Sequence, residues 1–121
     1  MAKTILVVDD SASVRNVVSI SLKSAGYDVI TANDGVDALS KLNGVKIHLI
    51  VSDVNMPNMD GITLVKEVKK LPAYKFVPIC MLTTESENSK MQEGKAAGAK
   101  AWIVKPFQPP KLLSAVEKLV M

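Results

Sequence analysis

The feature that most limits what this chain can fold into is an alternation of two hydrophobic periods, repeated along its whole length. Short runs rich in β-branched residues lie at Thr4–Val8, Tyr27–Thr31, His48–Ser52, Val77–Leu82 and Ala101–Val104. Between and after them come stretches with helical spacing. Val14, Val18, Leu22 and Ala25 fall on one helix face; so do Ala38, Leu39 and Leu42, and so do Ile62, Val65 and Val68. Leu112, Leu113, Val116, Leu119 and Val120 form a strong C-terminal stripe. Alternating strands and helices imply parallel strands with their crossovers packed on both faces. The central runs are apolar at successive positions, as a sheet covered on both sides requires. The expected fold is α/β, a doubly wound five-stranded parallel sheet with five helices.

The punctuation agrees. Ser11 suits the N-cap of the first helix and Gly26 its end. Asn33 or Asp34 suits the second N-cap, and Asp60-Gly61 opens the third helix. Pro109 and Pro110 stand where the last helix begins, a position that tolerates proline. The segment from Glu87 to Ala97 is the weak element. It offers only Met91, Ala96 and Ala97 as apolar groups and has Gly94 inside it, so little buried area holds it down.

Composition removes other classes. At 121 residues the chain is expected to be a single domain spanning 1–121. Its 48% hydrophobic and 22% charged residues exclude a disordered chain. One cysteine, Cys80, leaves no internal disulfide and no zinc cluster; within the fourth run it reads as a small core hydrophobe. No apolar run is long enough for a membrane span, and Asp9 and Asp10 interrupt the first one where a leader would continue. The net charge of +3 comes from scattered residues, with Lys69-Lys70 the only adjacent basic pair. That is a solvated surface rather than a nucleic-acid face.

In an open parallel sheet, ligands bind at the carboxyl ends of the strands. Those ends carry Asp9 and Asp10, then Asp53, then Thr83 and Thr84, then Lys105. Strand two alone delivers nothing ionisable, ending at Ala32-Asn33. Three carboxylates on one rim call for a counter-charge, which a hard divalent cation supplies. Magnesium prefers oxygen ligands and is usually held by one or two carboxylates with phosphate oxygens and water. An ammonium and a hydroxyl suit a phosphoryl group, and a carboxylate can serve as the nucleophile. His48, near the start of the third run, lies at the opposite rim and reads as a surface histidine. No glycine-rich dinucleotide or P-loop motif and no nucleophile-elbow motif occurs.

Four segments, Ile5-Leu-Val-Val-Asp9-Asp10, Asp53-Val-Asn-Met-Pro57 with Asp60-Gly61, Leu82-Thr83-Thr84 and Lys105-Pro106-Phe107, resemble the signature of two-component response-regulator receiver domains. The match covers the whole chain, with the motifs in the family's order and spacing, and is nearest to the stand-alone receivers of chemotaxis. The resemblance implies a flavodoxin-like strand order of 2-1-3-4-5. It implies that Asp53 is the phosphoacceptor, with Thr83 and Lys105 contacting the phosphoryl group. Asp9, Asp10, Asp53 and the backbone carbonyl of Asn55 would hold Mg²⁺. Asn55 and Glu85 would set the lifetime of the phosphoryl group, and the Lys105-Pro106 peptide would be cis. Thr83 and Trp102 would form the switch, with Trp102 standing where the family usually has tyrosine or phenylalanine.

The function implied is a phosphorylation-activated signalling switch, not a dedicated enzyme, that catalyses its own phosphotransfer and autodephosphorylation. A chemotaxis-type histidine kinase would be the donor. A phosphatase and a target such as a flagellar motor switch protein would be the other partners, met through the face formed by the fourth helix, fifth strand and fifth helix. A cytoplasmic monomer with no output domain, no membrane insertion and no direct DNA binding is expected. One alternative is a phosphorelay intermediate; another is a Mg²⁺-dependent phosphohydrolase with an aspartyl nucleophile. The latter class usually carries an aspartate two residues past the nucleophile and a cap domain, whereas Asn55 stands there. A constitutive pseudo-receiver would not need Asp9, Asp10, Asp53, Thr83 and Lys105 together.

Overall fold

A computed structural model describes residues 3–54, 56–83, 88–104 and 108–120, with backbone alone for 88–91. Ten elements alternate: β1 (Thr4–Val8), α1 (Ala12–Ser24), β2 (Asp28–Ala32), α2 (Gly35–Lys41), β3 (Leu49–Asp53), α3 (Gly61–Lys69), β4 (Ile79–Thr83), α4 (Asn88–Ala97), β5 (Ala101–Val104) and α5 (Pro109–Leu119). The five strands form one parallel sheet in the order β2-β1-β3-β4-β5.

The apolar runs divide between two cores by strict alternation. Ile5, Val7, Leu49, Val51, Cys80 and Leu82 face one side, against Val18 and Leu22 of α1 and Leu112 and Val116 of α5. Leu6, Val8, Ile50, Ile79 and Met81 face the other, against Ala38 of α2 and Ile62, Val65 and Val68 of α3. Side chains that alternate across a strand therefore demand an apolar residue at every central position. Every residue of β3 and β4 is buried, while the edge strands β2 and β5 are only partly covered.

Local chemistry sets the ends. Ser11, Asp34 and Asp60 each accept a hydrogen bond from the backbone N–H three residues on, so Asp34 rather than Asn33 caps α2. Gln108 makes no such bond, and proline opens α5 instead. After α1, Gly26 takes φ +94° while its N–H reaches Lys23 and that of Tyr27 reaches Leu22, the Schellman closure that favours glycine.

Three strand boundaries move from the sequence expectation: β2 starts at Asp28, β3 at Leu49 and β4 at Ile79. Pro78 explains the last, because it has no N–H for the ladder, although its carbonyl still accepts from Ile50. His48 is corrected as well. It is half-buried, and its Nδ1 accepts the Thr4 N–H at 2.9 Å while its own N–H donates to the Thr4 carbonyl at 2.8 Å. The imidazole thus closes the open end of the β1–β3 ladder, which no strand-spacing rule foretells. No helix among the described residues is long and apolar enough to cross a membrane.

Candidate functional site

Sheet register brings the acids together. Val8 pairs with Ser52, so one residue further along each strand Asp9 comes beside Asp53. Both strands are central, and their ends open on the side where helices begin. One carboxylate oxygen from each of Asp9, Asp10 and Asp53 lies within 4.8 Å of the other two. Asp9 and Asp53 are buried and Asp10 is exposed. The cluster thus has an inner wall of two carboxylates and a wet outer member. That donor set of hard oxygens fits a divalent cation that keeps part of its water, as at the metal sites of receiver domains.

Backbone N–H groups orient the two buried carboxylates. The Ser11 N–H donates to Asp9 Oδ1 at 2.9 Å, and the Val54 N–H donates to Asp53 Oδ1 at 2.9 Å. The Ser52 hydroxyl donates to the Asp53 carbonyl at 2.9 Å. Such bonds fix the rotation of the groups before any ligand arrives. Thr83, the last residue of β4, is also buried at this rim. The structure therefore gathers Asp9, Asp10 and Asp53 and places Thr83 on the same edge. Asn55, Glu85, Lys105 and the Lys105-Pro106 peptide lie outside the described residues.

Trp102 faces the α4 side of β5, in register with Met81 and packed on the same core. Its indole Nε1 is buried and has no hydrogen-bond partner among the described residues. The indole occupies the space left by Gly94: a Cβ built there would sit 2.5 Å from Cζ3. In the sequence, Gly94 only weakens a helix. In the structure it is the notch that admits an aromatic ring.

Sequence reasoning also missed Arg15 and the reason for Gly61. Arg15 Nη1 donates to the Asp9 carbonyl at 2.6 Å, tying α1 to the turn that carries the acids. A Cβ at Gly61 would collide with the Asp53 carbonyl and lie 2.6 Å from Met81 Cε. Only glycine lets α3 start this close to the strand end. The Asp60-Gly61 pair signals a helix start, but the collision depends on a neighbour that only folding supplies.

Comparison with known proteins agrees with this geometry. The family model described as the response regulator receiver domain matches residues 5–117. Chemotaxis protein CheY1 of Helicobacter pylori (strain ATCC 700392 / 26695) is 39% identical over 115 residues, which is 93% of each chain. The alkaline phosphatase synthesis transcriptional regulatory protein PhoP of Bacillus subtilis (strain 168) is 39% identical over 120 residues, 99% of this chain but 49% of that protein. Among solved structures, chemotaxis protein CheY4 of Vibrio cholerae superimposes with a TM-score of 0.95 at 49% identity, covering 99% of this chain and 100% of that one. With the strand order, the acidic rim and the family match in agreement over nearly the full length, the chain belongs to the response regulator receiver domains and is of the CheY-like kind.

Proposed function

We propose that the chain is a switch that accepts a phosphoryl group on Asp53 and changes its binding partner in response. The observation that carries this is the convergence of three carboxylates, two of them held by backbone N–H groups, at the ends of the central strands β1 and β3. Asp9, Asp10 and Asp53 would hold Mg²⁺, with the Asn55 carbonyl as a further ligand. When bound, the ion neutralises charge shared between the acids and the incoming phosphoryl oxygens.

The chain's own residues supply the rest. An Asp53 carboxylate oxygen attacks the phosphorus of a donor phosphohistidine. The new P–O bond forms as the P–N bond breaks, and imidazole leaves with the electron pair. The Val54 N–H keeps the carboxylate from rotating away from the line of attack. Thr83 would donate its hydroxyl to a phosphoryl oxygen, and Lys105 would pair with another. Asn55 and Glu85 would set how long the acyl phosphate lasts.

The output would run through Thr83 and Trp102 to the face of α4, β5 and α5. A shallow groove there is lined by Ala101, Lys111, Ser114, Ala115, Lys118 and Leu119. Its two lysines over an apolar floor suit a partner segment with acidic and apolar residues. A histidine kinase as donor, a phosphatase and a motility target follow from the likeness to the chemotaxis proteins.

The test is direct. Acetyl phosphate with Mg²⁺ should add one phosphoryl mass to the protein, and Asp53→Asn should abolish the addition. Undiminished addition to Asp53→Asn in intact-mass spectrometry would overturn the assignment.

A further inference from the structure

The loop between β3 and α3 is closed at its base and pinned at its tip. At the base the Gly61 N–H donates to the Val54 carbonyl at 2.8 Å, immediately beyond Asp53. At the tip, Asn58 takes φ +68°, and the Met59 N–H reaches the Pro57 carbonyl at 2.7 Å. That is a three-residue turn in the left-handed region, a strained form in which asparagine is among the few side chains tolerated. The Asn58 Nδ2 donates to Asp34 Oδ2 at 2.8 Å. The other oxygen, Asp34 Oδ1, accepts the Asp37 N–H at 2.8 Å and so caps α2. These two donors hold the Asp34 carboxyl below the usual carboxylate range. Beside this bond Met59 fills the space over Gly35, where a Cβ would lie 2.7 Å from Met59 Cγ.

We infer that Asp34 and Asn58 are positioning residues for the phosphoacceptor site: a clamp from the N-cap of α2 that holds the β3–α3 loop ready for the metal. The inference rests on the phosphoacceptor reading of Asp53. The hydrogen bonds of both side chains are made with each other and with the Asp37 N–H. Their effect passes through the loop, which follows Asp53 directly and ends at Gly61, the first residue of α3, against the Asp53 carbonyl. A loop held in one conformation need not be ordered when the cation binds. Without the clamp, the affinity falls by up to the factor that the clamp had contributed.

Two variants isolate the clamp. Asn58→Gly accepts the positive φ without steric strain and removes the amide, while also loosening the backbone, which the polarity-reversed pair does not. Asn58→Asp sets two carboxylates against each other. Asp34→Asn in the Asn58→Asp background reverses the polarity of the bond, conserves net charge and retains a good N-cap. Calorimetric titration with Mg²⁺ should show about a fivefold weaker affinity for Asn58→Gly, the worth of one exposed charge-assisted hydrogen bond. Asn58→Asp should also bind more weakly, although its added charge by itself attracts the cation. The double variant should return to within about twofold of the parent, as a restored bond requires.

Urea unfolding without Mg²⁺ supplies the structural control. If Asn58→Gly loses stability yet binds Mg²⁺ like the parent, the clamp merely supports the fold and the inference is wrong. Failure of the double variant to recover affinity also overturns it. If the parent itself takes no phosphoryl group from acetyl phosphate, the switch reading fails instead, and the Mg²⁺ titrations still judge the clamp.

Discussion

Gly94→Ala places a single methyl group where the Trp102 ring now lies. The Cβ would sit 2.5 Å from Cζ3 and 3.4 Å from Cε3 and Cη2. Carbon atoms in good contact are about 3.5–4.0 Å apart, so the ring or the helix must shift by about 1 Å. Keeping both in place costs about 1–3 kcal/mol of overpacking. Alanine returns about 1 kcal/mol of helix propensity. Rotation of the indole out of the notch is the easier relief, because its buried N–H, which has no partner among the described residues, then reaches water, a gain of about 1–3 kcal/mol that offsets lost packing. Trp102 is the only tryptophan, so emission reports this one residue. The variant should show red-shifted emission and stronger acrylamide quenching, with urea stability within about 1 kcal/mol of the parent as these terms cancel. The proposed switch has beryllofluoride with Mg²⁺ move the indole in the parent, and that movement should be smaller in Gly94→Ala. Unchanged emission and quenching with stability raised by about 1 kcal/mol would mean that only helix propensity was felt. The notch would then not govern the indole.

Other outcomes follow from single contacts. Asp10→Asn should weaken Mg²⁺ more than about tenfold, since even outer-shell partners of a metal are worth that much. Asp60→Asn, which still caps α3 at Thr63, should leave the affinity unchanged; equal losses in calorimetry would refute the placement of the cation. Burial pushes the Cys80 thiol up to about 12 from an ordinary 9.0, so the native thiol should resist iodoacetamide and react only as the chain opens. Because its folded value is raised, stability should be intact below pH 9 and decline between pH 9 and about 12 as the unfolded thiol ionises. Labelling of the native state at the rate of the unfolded chain would contradict that burial. His48→Ala removes the acceptor of the Thr4 N–H and should cost about 1 kcal/mol in urea unfolding; an unaltered midpoint would show that water replaces the ring.

The fold class was legible because each strand had to be apolar at consecutive positions and each helix on one stripe. Those are local patterns, and Ile5–Val8 or Leu112, Val116 and Leu119 display them without any neighbour. The caps at Ser11 and Asp60 were legible for the same reason, and that of α2 to within Asn33 or Asp34, since a cap bonds only three residues ahead. The acidic site was visible once strands were placed, because parallel strands deliver their last residues to one rim. Tertiary structure alone decided what sits between elements far apart in sequence. Gly94 reads as a helix defect until Trp102 fills it, and Gly61 as part of a helix start until the Asp53 carbonyl is seen against it. His48 reads as a surface group until Thr4 donates to it, and Asn58 has no assigned role until Asp34 accepts its amide. A residue's own spacing and propensity record the bonds it makes nearby. A contact across the fold leaves no trace in either, because its geometry exists only after both partners have been brought into place.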